Sequence, residues 1–532
     1  MTGHSADALI IGSGPNGLVA ANVLADAGWD VVVLEAADHP GGAVSSAEVT
    51  APGFVTDMFS AFYPLAAASP LMKDLDLGSY GLHWCRSQDV LAHALDDGRV
   101  AVLRGSVNDT ATGLDEFAPG DGAAWVEMFE QWLRIRDPFL DALFTPFPPV
   151  AAATRLLRRL GTAGALDFAR LGVTPVRRLA EERFDGDGAA LLLTGNALHS
   201  DLPPDAAGSG LFGWLLAMLG QDVGFPVPRG GAGKLAEALV RRASSRGGQV
   251  RTNAEVVSVQ VRNGRATGVV LRDGSRLTAR RAVLADVTAP ALYGQLLDPA
   301  VVPARVLHNL DRFQWDNATI KVNWALSQPI PWSAPGARHA GTVHVGVDVD
   351  GFVDFSADLS IGRIPRKPFI LVGQMTTADP TRSPAGTESV WAYTHVPRDV
   401  AWTPERVEDH VLRIEQAIER VAPGFTSAQI ARHVQSPADL EGADANLVGG
   451  AINGGTSGLH QQLFMRPTPG LGRPETPISG LFLASASAHP GGGVHGACGW
   501  NAARAAISAS GRRGTLHRAL VRTMWARVLK DD

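Results

Sequence analysis

ALIIGSGPNGLVAANVLADAGWDVVVLE, residues 8–35, reads as strand, turn, helix, second strand and terminal acid. Ala8 to Ile11 is a short apolar run, and Gly12-x-Gly14-x-x-Gly17 follows it directly. Leu18, Ala21, Val23 and Leu24 then recur through a helix-length segment, and the β-branched run Val31 to Val33 leads to Glu35. Gly12 permits the tight turn, Gly14 lets the backbone approach a pyrophosphate, and Gly17 lets helix and strand pack closely. Pro15 and Asn16 open the helix, whose free N–H groups and dipole favour an anionic diphosphate. Glu35, with Ala36 after it, stands where a carboxylate accepts hydrogen bonds from an adenosine ribose and repels a 2′-phosphate, which disfavours NADP. A glycine turn alone is a weak signal. Turn, helix, second strand and acid in this order predict a dinucleotide site.

The 532 residues are enough for two or more structural units around large cores. Hydrophobic residues make up 45% and charged residues 19%, a globular profile. A net charge of −6 argues against nucleic acid as a partner. The two cysteines, Cys85 and Cys498, lie far apart and form no CxxC, which reads as buried thiols in a reducing compartment. No signal pattern precedes the first strand, and the longest apolar run, Leu211 to Leu219, is too short to cross a bilayer. These features predict a cytoplasmic protein.

Past Glu35, HPGGAVSS (residues 39–46) offers a second pair of adjacent glycines, Gly41 and Gly42, suited to another close approach to the same cofactor. Residues 119–222 are helical by pattern, with Trp125, Phe129, Trp132 and Ile135 recurring and Leu156, Leu157 and Leu160 following. Arg155, Arg158, Arg159, Arg170, Arg177 and Arg178 flank these apolar residues. Such a stretch suits a membrane surface, the cover of an apolar pocket, or a plain solvated face. Asn263-Gly264 and Asp273-Gly274 mark two hairpins in the 249–286 block. Gly230 to Lys234 lacks the Ser or Thr of a triphosphate loop. The segments TIKVNWAL, GTVHVGVDV, FILVGQM and SVWAYTHV between residues 305 and 400 predict an antiparallel sheet with one covered face. A helix around 403–421, a strand at 480–485, a helix running to about 508 and an amphipathic tail helix over 511–532 complete the chain.

The far glycine turn, HPGGGVHG (residues 489–496), enters a helix of small residues. Its N–H groups and positive dipole end near Gly492, Gly493 and Val494 match the negative charge a reduced flavin carries at N1–C2=O. Taken together, the 11–36 stretch, HPGGAVSS, GFPVPRGGAGKLAEAL with its hairpins, and LFLASASAHPGGGVHGACGWNAARAA resemble the phytoene-desaturase-like FAD oxidoreductases. Within that group they are most similar to the pyridine nucleotide-disulfide oxidoreductase domain-containing branch.

The resemblance implies an α/β fold: a Rossmann-type FAD-binding domain of the glutathione-reductase and amine-oxidase kind, interleaved with a substrate domain of antiparallel sheet and helices. The expected boundaries are 1–75, 225–300 and 475–510 for the FAD unit, and 76–224 and 301–474 for the substrate unit. The cofactor it implies is non-covalent FAD. Gly12, Gly14, Pro15, Asn16 and Gly17 would hold the diphosphate, and Glu35 and Ala36 the ribose. Gly41, Gly42 and Ala43 would pass the ribityl-diphosphate arm; many relatives carry a basic residue where Ala43 stands. Val256 would pair with adenine, while Ser485, Gly492, Gly493 and Val494 would lie by the ribityl and pyrimidine parts. No cysteine pair and no second GxGxxG occur, so electrons are expected to leave to dioxygen or a quinone.

Lys321 is the main catalytic candidate. Thr319, Lys321 and Asn323 share one side of their strand and Ile320, Val322 and Trp324 the other, and a lysine in so apolar a strand needs a partner unless it points to solvent. Its segment is similar to the amine-oxidase strand whose lysine reaches flavin N5 through a water. His489 and His495 flank the turn as proton carriers or as backbone supports. His199 and Cys498 are weaker candidates, for proton transfer and flavin attachment respectively, and no spacing suggests a metal. The expected reaction is hydride removal from a hydrophobic substrate to form a C=C bond, in a pocket lined by Trp125, Trp132, Trp214, Trp315 and Trp324. An amine oxidase is the alternative enzyme, though four tyrosines leave little for an aromatic cage. A flavin-binding partner protein with little catalysis is the alternative outside enzymes.

Overall fold

The β-branched runs of the first 35 residues build the centre of a seven-stranded sheet. In a computed structural model that describes residues 5–511 with Gly514, Thr523 and Trp525, the Ser5–Ile11 strand lies between Val31–Leu34 and Arg276–Ala285, parallel to both. Gln249–Arg251 extends the sheet beyond Val31–Leu34. Leu481–Leu483 adds in parallel to the end of Arg276–Ala285, 190 residues and more along the chain. Val256–Arg262, Arg265–Leu271 and Arg276–Ala285 form an antiparallel meander turned at Asn263-Gly264 and Asp273-Gly274, as the two hairpin signals predict.

Alternation along the first strand divides the core. Ala8 and Ile10 pack with Leu18, Leu235, Leu239 and Ala502 from three helices on one face. Leu9 and Ile11 meet Val259, Val269 and Leu292 on the other. All of these are fully buried, which suits strands covered on both sides.

A second seven-stranded sheet runs in the order Gln429–Gln435, Ala318–Leu326, Glu388–Val396, Ile370–Gln374, Ala340–Val345, Asp89–Ala94, Val100–Arg104. Its pairs are antiparallel except Ala340–Val345 with Asp89–Ala94, which run parallel. The expectation of one covered face is corrected here, because every residue of Ala318–Leu326 is buried. Ile320, Val322 and Trp324 pack on Val411, Ile414 and Ile418 of the Pro404–Val421 helix. The opposite side of the sheet packs against the helical layer between Asp121 and Val223.

The strand expected over GTVHVGVDV stops at Val345, and a helix starts at Val349, where the Asp348 carboxylate accepts the Gly351 N–H (2.8 Å). Trp132 and Trp214 belong to a packed aromatic cluster with Phe139 and Phe168, Trp125 packs on Phe184 in the same core, and Trp324 faces away from the lysine, against Phe425. Those four are core rather than pocket wall. The tail helix expected over 511–532 lies outside the described residues.

Candidate functional site

Two helix starts meet in the first sheet's helical layer. The Pro15–Asp26 helix opens with Gly14 at its cap and no capping side chain of its own. Gly12 has φ +90°, a conformation open to glycine. A Cβ on Gly14 would stand 2.8 Å from the Asp286 carboxylate, so the backbone there is bare by necessity. The Gly41 N–H donates to the Ser13 carbonyl (3.1 Å), and a Cβ on Gly42 would come within 3.2 Å of Gly14 Cα, so the two glycine loops lie against each other. The Ala43 carbonyl accepts from the Ser60 hydroxyl (2.6 Å). At the far end of the chain, Gly493 and Gly496 have φ +105° and +74°, and the Ala497–Ser510 helix follows. Gly499 rides on the Asn16 backbone, where any Cβ would overlap it. This contact joins the two helix entrances.

Glu35 closes its strand by accepting from Ser13 N–H (2.8 Å), Ser13 hydroxyl (2.6 Å) and Ala37 N–H (2.9 Å). The Glu35 and Ala37 carbonyls accept the Ala254 and Asn253 N–H groups (2.7 and 2.9 Å), and the Val256–Arg262 strand starts just beyond. Sequence reasoning missed Asp286, which follows the buried apolar end AVLA of the Arg276–Ala285 strand and accepts the Gly17 N–H (2.7 Å). Burial, with repulsion from Asp444 and Glu35, raises its carboxyl to about 7 against the pull of that bond. Asp444 is raised for the same first reason. Asn453, also missed, has a buried side-chain N–H without a protein partner, and its backbone is where a Cβ on Gly492 would collide (2.8 Å).

Lys321 is 3% exposed and does not point to solvent, which removes that alternative. Its Nζ donates to the Asp57 carbonyl and to Asn323 Oδ1 (3.0 Å), and lies 5.8 Å from the Trp391 ring centre. Burial pushes the ammonium down to about 7, helped by Arg382 and opposed by Asp57. Asp57 and Arg382 form a fully buried bidentate pair (2.8 and 3.0 Å), and Asp379 completes it (3.2 Å). Asp57 also accepts from Ser46 and from Ala232 N–H (both 2.8 Å), so this network ties the glycine-loop side to the second sheet. Trp391 and Tyr393 stack beside the lysine, 5.8 Å apart at 21°, with Phe62 at 6.0 Å from Trp391.

The residues present fit a bound dinucleotide: glycines no side chain can replace, a strand-terminal acid, and buried unpartnered polar atoms on Asn16 and Asn453 beside the two turns. The model of flavin containing amine oxidoreductases matches residues 16–507. The chain belongs to that family. FAD is therefore its cofactor, and the protein is an oxidoreductase. Similar proteins include pyridine nucleotide-disulfide oxidoreductase domain-containing protein 2 of Mus musculus, 29% identical over 93% of this chain and 92% of that one. A limonene dehydrogenase chain of Castellaniella defragrans is 24% identical over 94% of each chain. The neurosporene-forming phytoene desaturase of Rhodobacter capsulatus is 24% identical over 92% of this chain and 91% of that one. Among solved structures, an oxidoreductase from Methanosarcina mazei superposes with TM-score 0.62 at 17% identity, covering 94% of this chain and 99% of that one. Putrescine oxidase bound to putrescine gives 0.60 at 19%, covering 95% and 98%.

Around the far turn of this flavoenzyme, His489 and His495 are both buried. Burial pushes His489 and His495 down to about 4. His495 Nδ1 accepts the Ala497 N–H (3.0 Å), so the neutral ring carries its proton on Nε2, which is buried and has no protein partner. His199 sits at hydrogen-bond distance from His344 (2.9 Å) and burial holds it near 3. Cys498 is buried in the helix with its thiol pushed up to about 12, donating to Ala488 and Gly491 carbonyls. That is an inert thiol rather than an attachment point. Among the described residues no group of His, Cys, Asp and Glu is arranged to hold a metal.

Proposed function

We propose that this flavoenzyme dehydrogenates an apolar substrate to a C=C bond and hands the electrons to dioxygen or a quinone. The observation that carries the reading is Lys321, a buried amine poised near neutrality on the sheet face that the aliphatic and aromatic helical layer covers. The desaturase and dehydrogenase names of relatives aligned over nine-tenths of the chain agree with it. We assign the FAD unit to 1–75, 225–300 and 475–510, and the substrate unit to 76–224 and 301–474.

In this reading FAD, when bound, would supply the hydride-accepting chemistry, and the chain's own residues would hold it and manage protons. Gly12, Gly14, Pro15, Asn16 and Gly17 face the diphosphate, Glu35 and Ala36 the ribose, and Val256 the adenine. Gly41, Gly42 and Ala43 line the central arm. Ser485, Gly492, Gly493 and Val494 would hold the pyrimidine side, where His495 would offer its Nε2–H and His489 would stay neutral. Lys321 holds or takes a proton at Nζ, and Trp391 and Tyr393 exclude water beside it.

A second reading, an amine oxidase, is favoured by one feature: the Trp391–Tyr393 stack beside Lys321. Anaerobic photoreduction followed by air or quinone tests both. A yellow protein that reduces, and that reoxidises with quinone or oxygen while turning over an alkene-forming substrate, supports the first; turnover confined to amines replaces it with the second. A flavin that neither reduces nor reoxidises leaves a partner-binding protein and sinks both.

The helical segment Val150–Leu171 is broken at Gly161 (φ +67°, ψ −179°); before the break it exposes Val150 and Leu157 (67 and 54%) along with Arg158 and Arg159, and after it Leu166 (69%). No helix among the described residues is long and apolar enough to cross a membrane. We place the 150–160 stretch on an anionic membrane surface, from which an apolar substrate would be drawn, in a cytoplasm that keeps Cys85 and Cys498 reduced. Flotation with anionic but not neutral vesicles is the expected result; equal behaviour with both overturns it.

A further inference from the structure

Arg466 is 1% exposed, and among the described residues no carboxylate comes within salt-bridge distance of it. Its guanidinium is held by main-chain carbonyls alone: Nε to Ala486 (3.0 Å), Nη1 to Thr456 (2.9 Å), and Nη2 to Asn453, Gly454, Gly455 and Ala486 (3.1, 3.3, 3.4 and 2.7 Å). It lies directly behind the far glycine turn, since a Cβ built on Gly491 would stand 3.1 Å from its central carbon. The charge is felt in the turn: Arg466 contributes to the downward shifts of His489 and His495 and acts to lower the Cys498 thiol. The charged or titratable groups facing it are these three and Asp316, which acts on it from the loop before the lysine strand. Carbonyl dipoles orient a buried cation but leave its net charge unneutralised. A loop staple needs donors only; it does not need a full positive charge.

We propose that Arg466 is the positioning charge that holds the reduced flavin as its anion, so that two electrons enter with one proton rather than two. The inference rests on the reading that the pyrimidine side of FAD meets Gly492, Gly493 and Val494. Reduction adds two electrons and one proton to the flavin and leaves negative charge along N1–C2=O. The guanidinium and the N-terminus of the Ala497–Ser510 helix oppose that charge from the same side. The second proton, which would otherwise join N1, stays in solvent.

The test is the reduction potential of the FAD-loaded protein, read against a reference dye under anaerobic reduction across the neutral pH range. Wild type is expected to change by about 30 mV per pH unit, the value for one proton per two electrons. In Arg466→Gln the slope steepens toward about 59 mV per pH unit, and the flavin–dye equilibrium constant moves at least tenfold toward oxidised flavin. Arg466→Lys keeps the charge and stays near wild type, which a purely structural role for the guanidinium would not produce. A wild-type slope already at two protons overturns the proposal, as does an Arg466→Gln protein that holds FAD with unchanged potential and slope. If Arg466→Gln fails to hold FAD, the wild-type slope and the lysine variant decide. A wild-type protein that takes up no flavin at all overturns the site reading instead.

Discussion

Lys321 titrates near 7 where an ordinary lysine titrates near 10.5, so between those values the unfolded chain carries a proton the folded chain lacks. Stability from this group therefore rises with pH across that window, and Lys321→Met flattens the rise in a denaturant series run at several pH values. If the neutral amine is the working form, substrate oxidation climbs as pH passes 7, and Lys321→Met loses this limb together with about a hundredfold in rate. Asp286 behaves in the opposite sense. Its raised carboxyl favours the folded state fully below the ordinary carboxylate value and loses that contribution as pH rises through about 7. An arriving diphosphate needs that carboxyl neutral, so the FAD dissociation constant should grow as pH passes 7, and Asp286→Asn should remove the dependence. The sequence shows that Lys321 sits in an apolar strand, but its neighbours Asp57 and Trp391 come from 264 and 70 residues away and leave no local trace. Asp286 left a faint one, an acid at the carboxyl end of an apolar run, where open α/β sheets hold ligands.

The two helices that meet at Gly499 and Asn16 form one unit, and the tolerance there is small. Gly499→Val must push them apart; we expect about 1–3 kcal/mol of lost stability and a protein purified largely without flavin, measured by denaturant midpoint and by the yellow absorbance. The Asp57–Arg382–Asp379 network is the corresponding joint between the glycine loops and the second sheet. Arg382→Met leaves two buried carboxylates facing each other and should cost about 3–5 kcal/mol, seen as an early denaturant midpoint. Elements with strong local grammar were legible: GxGxxG before its helix, and Asn-Gly and Asp-Gly at the hairpins. GTVHVGVDV was half legible, because alternation continues past Val345 while Asp348 and Gly351 quietly supply a helix cap. The double cover of the second sheet was not, since which layer lands on a strand is decided by segments hundreds of residues away.

As a whole the molecule is a scaffold completed by its ligand. FAD at a hundred times its dissociation constant should raise unfolding free energy by about 2.7 kcal/mol, so stripping the flavin lowers the thermal midpoint and adding it back restores it. Aromatic content is a poor guide at this level: the tryptophans suggest pocket lining, whereas Trp125, Trp132 and Trp214 all fill the helical core. Among the described residues, strand Leu481–Leu483 joins the sheet begun by Ser5–Ile11 through Arg276–Ala285. A ribosome needs tens of seconds to travel between those first and last strands. Throughout that interval the nascent chain presents an unfinished edge and an empty half-grip, a natural client for chaperones. A stop codon shortly before residue 481 should accordingly yield an insoluble, colourless product rather than a weakened enzyme.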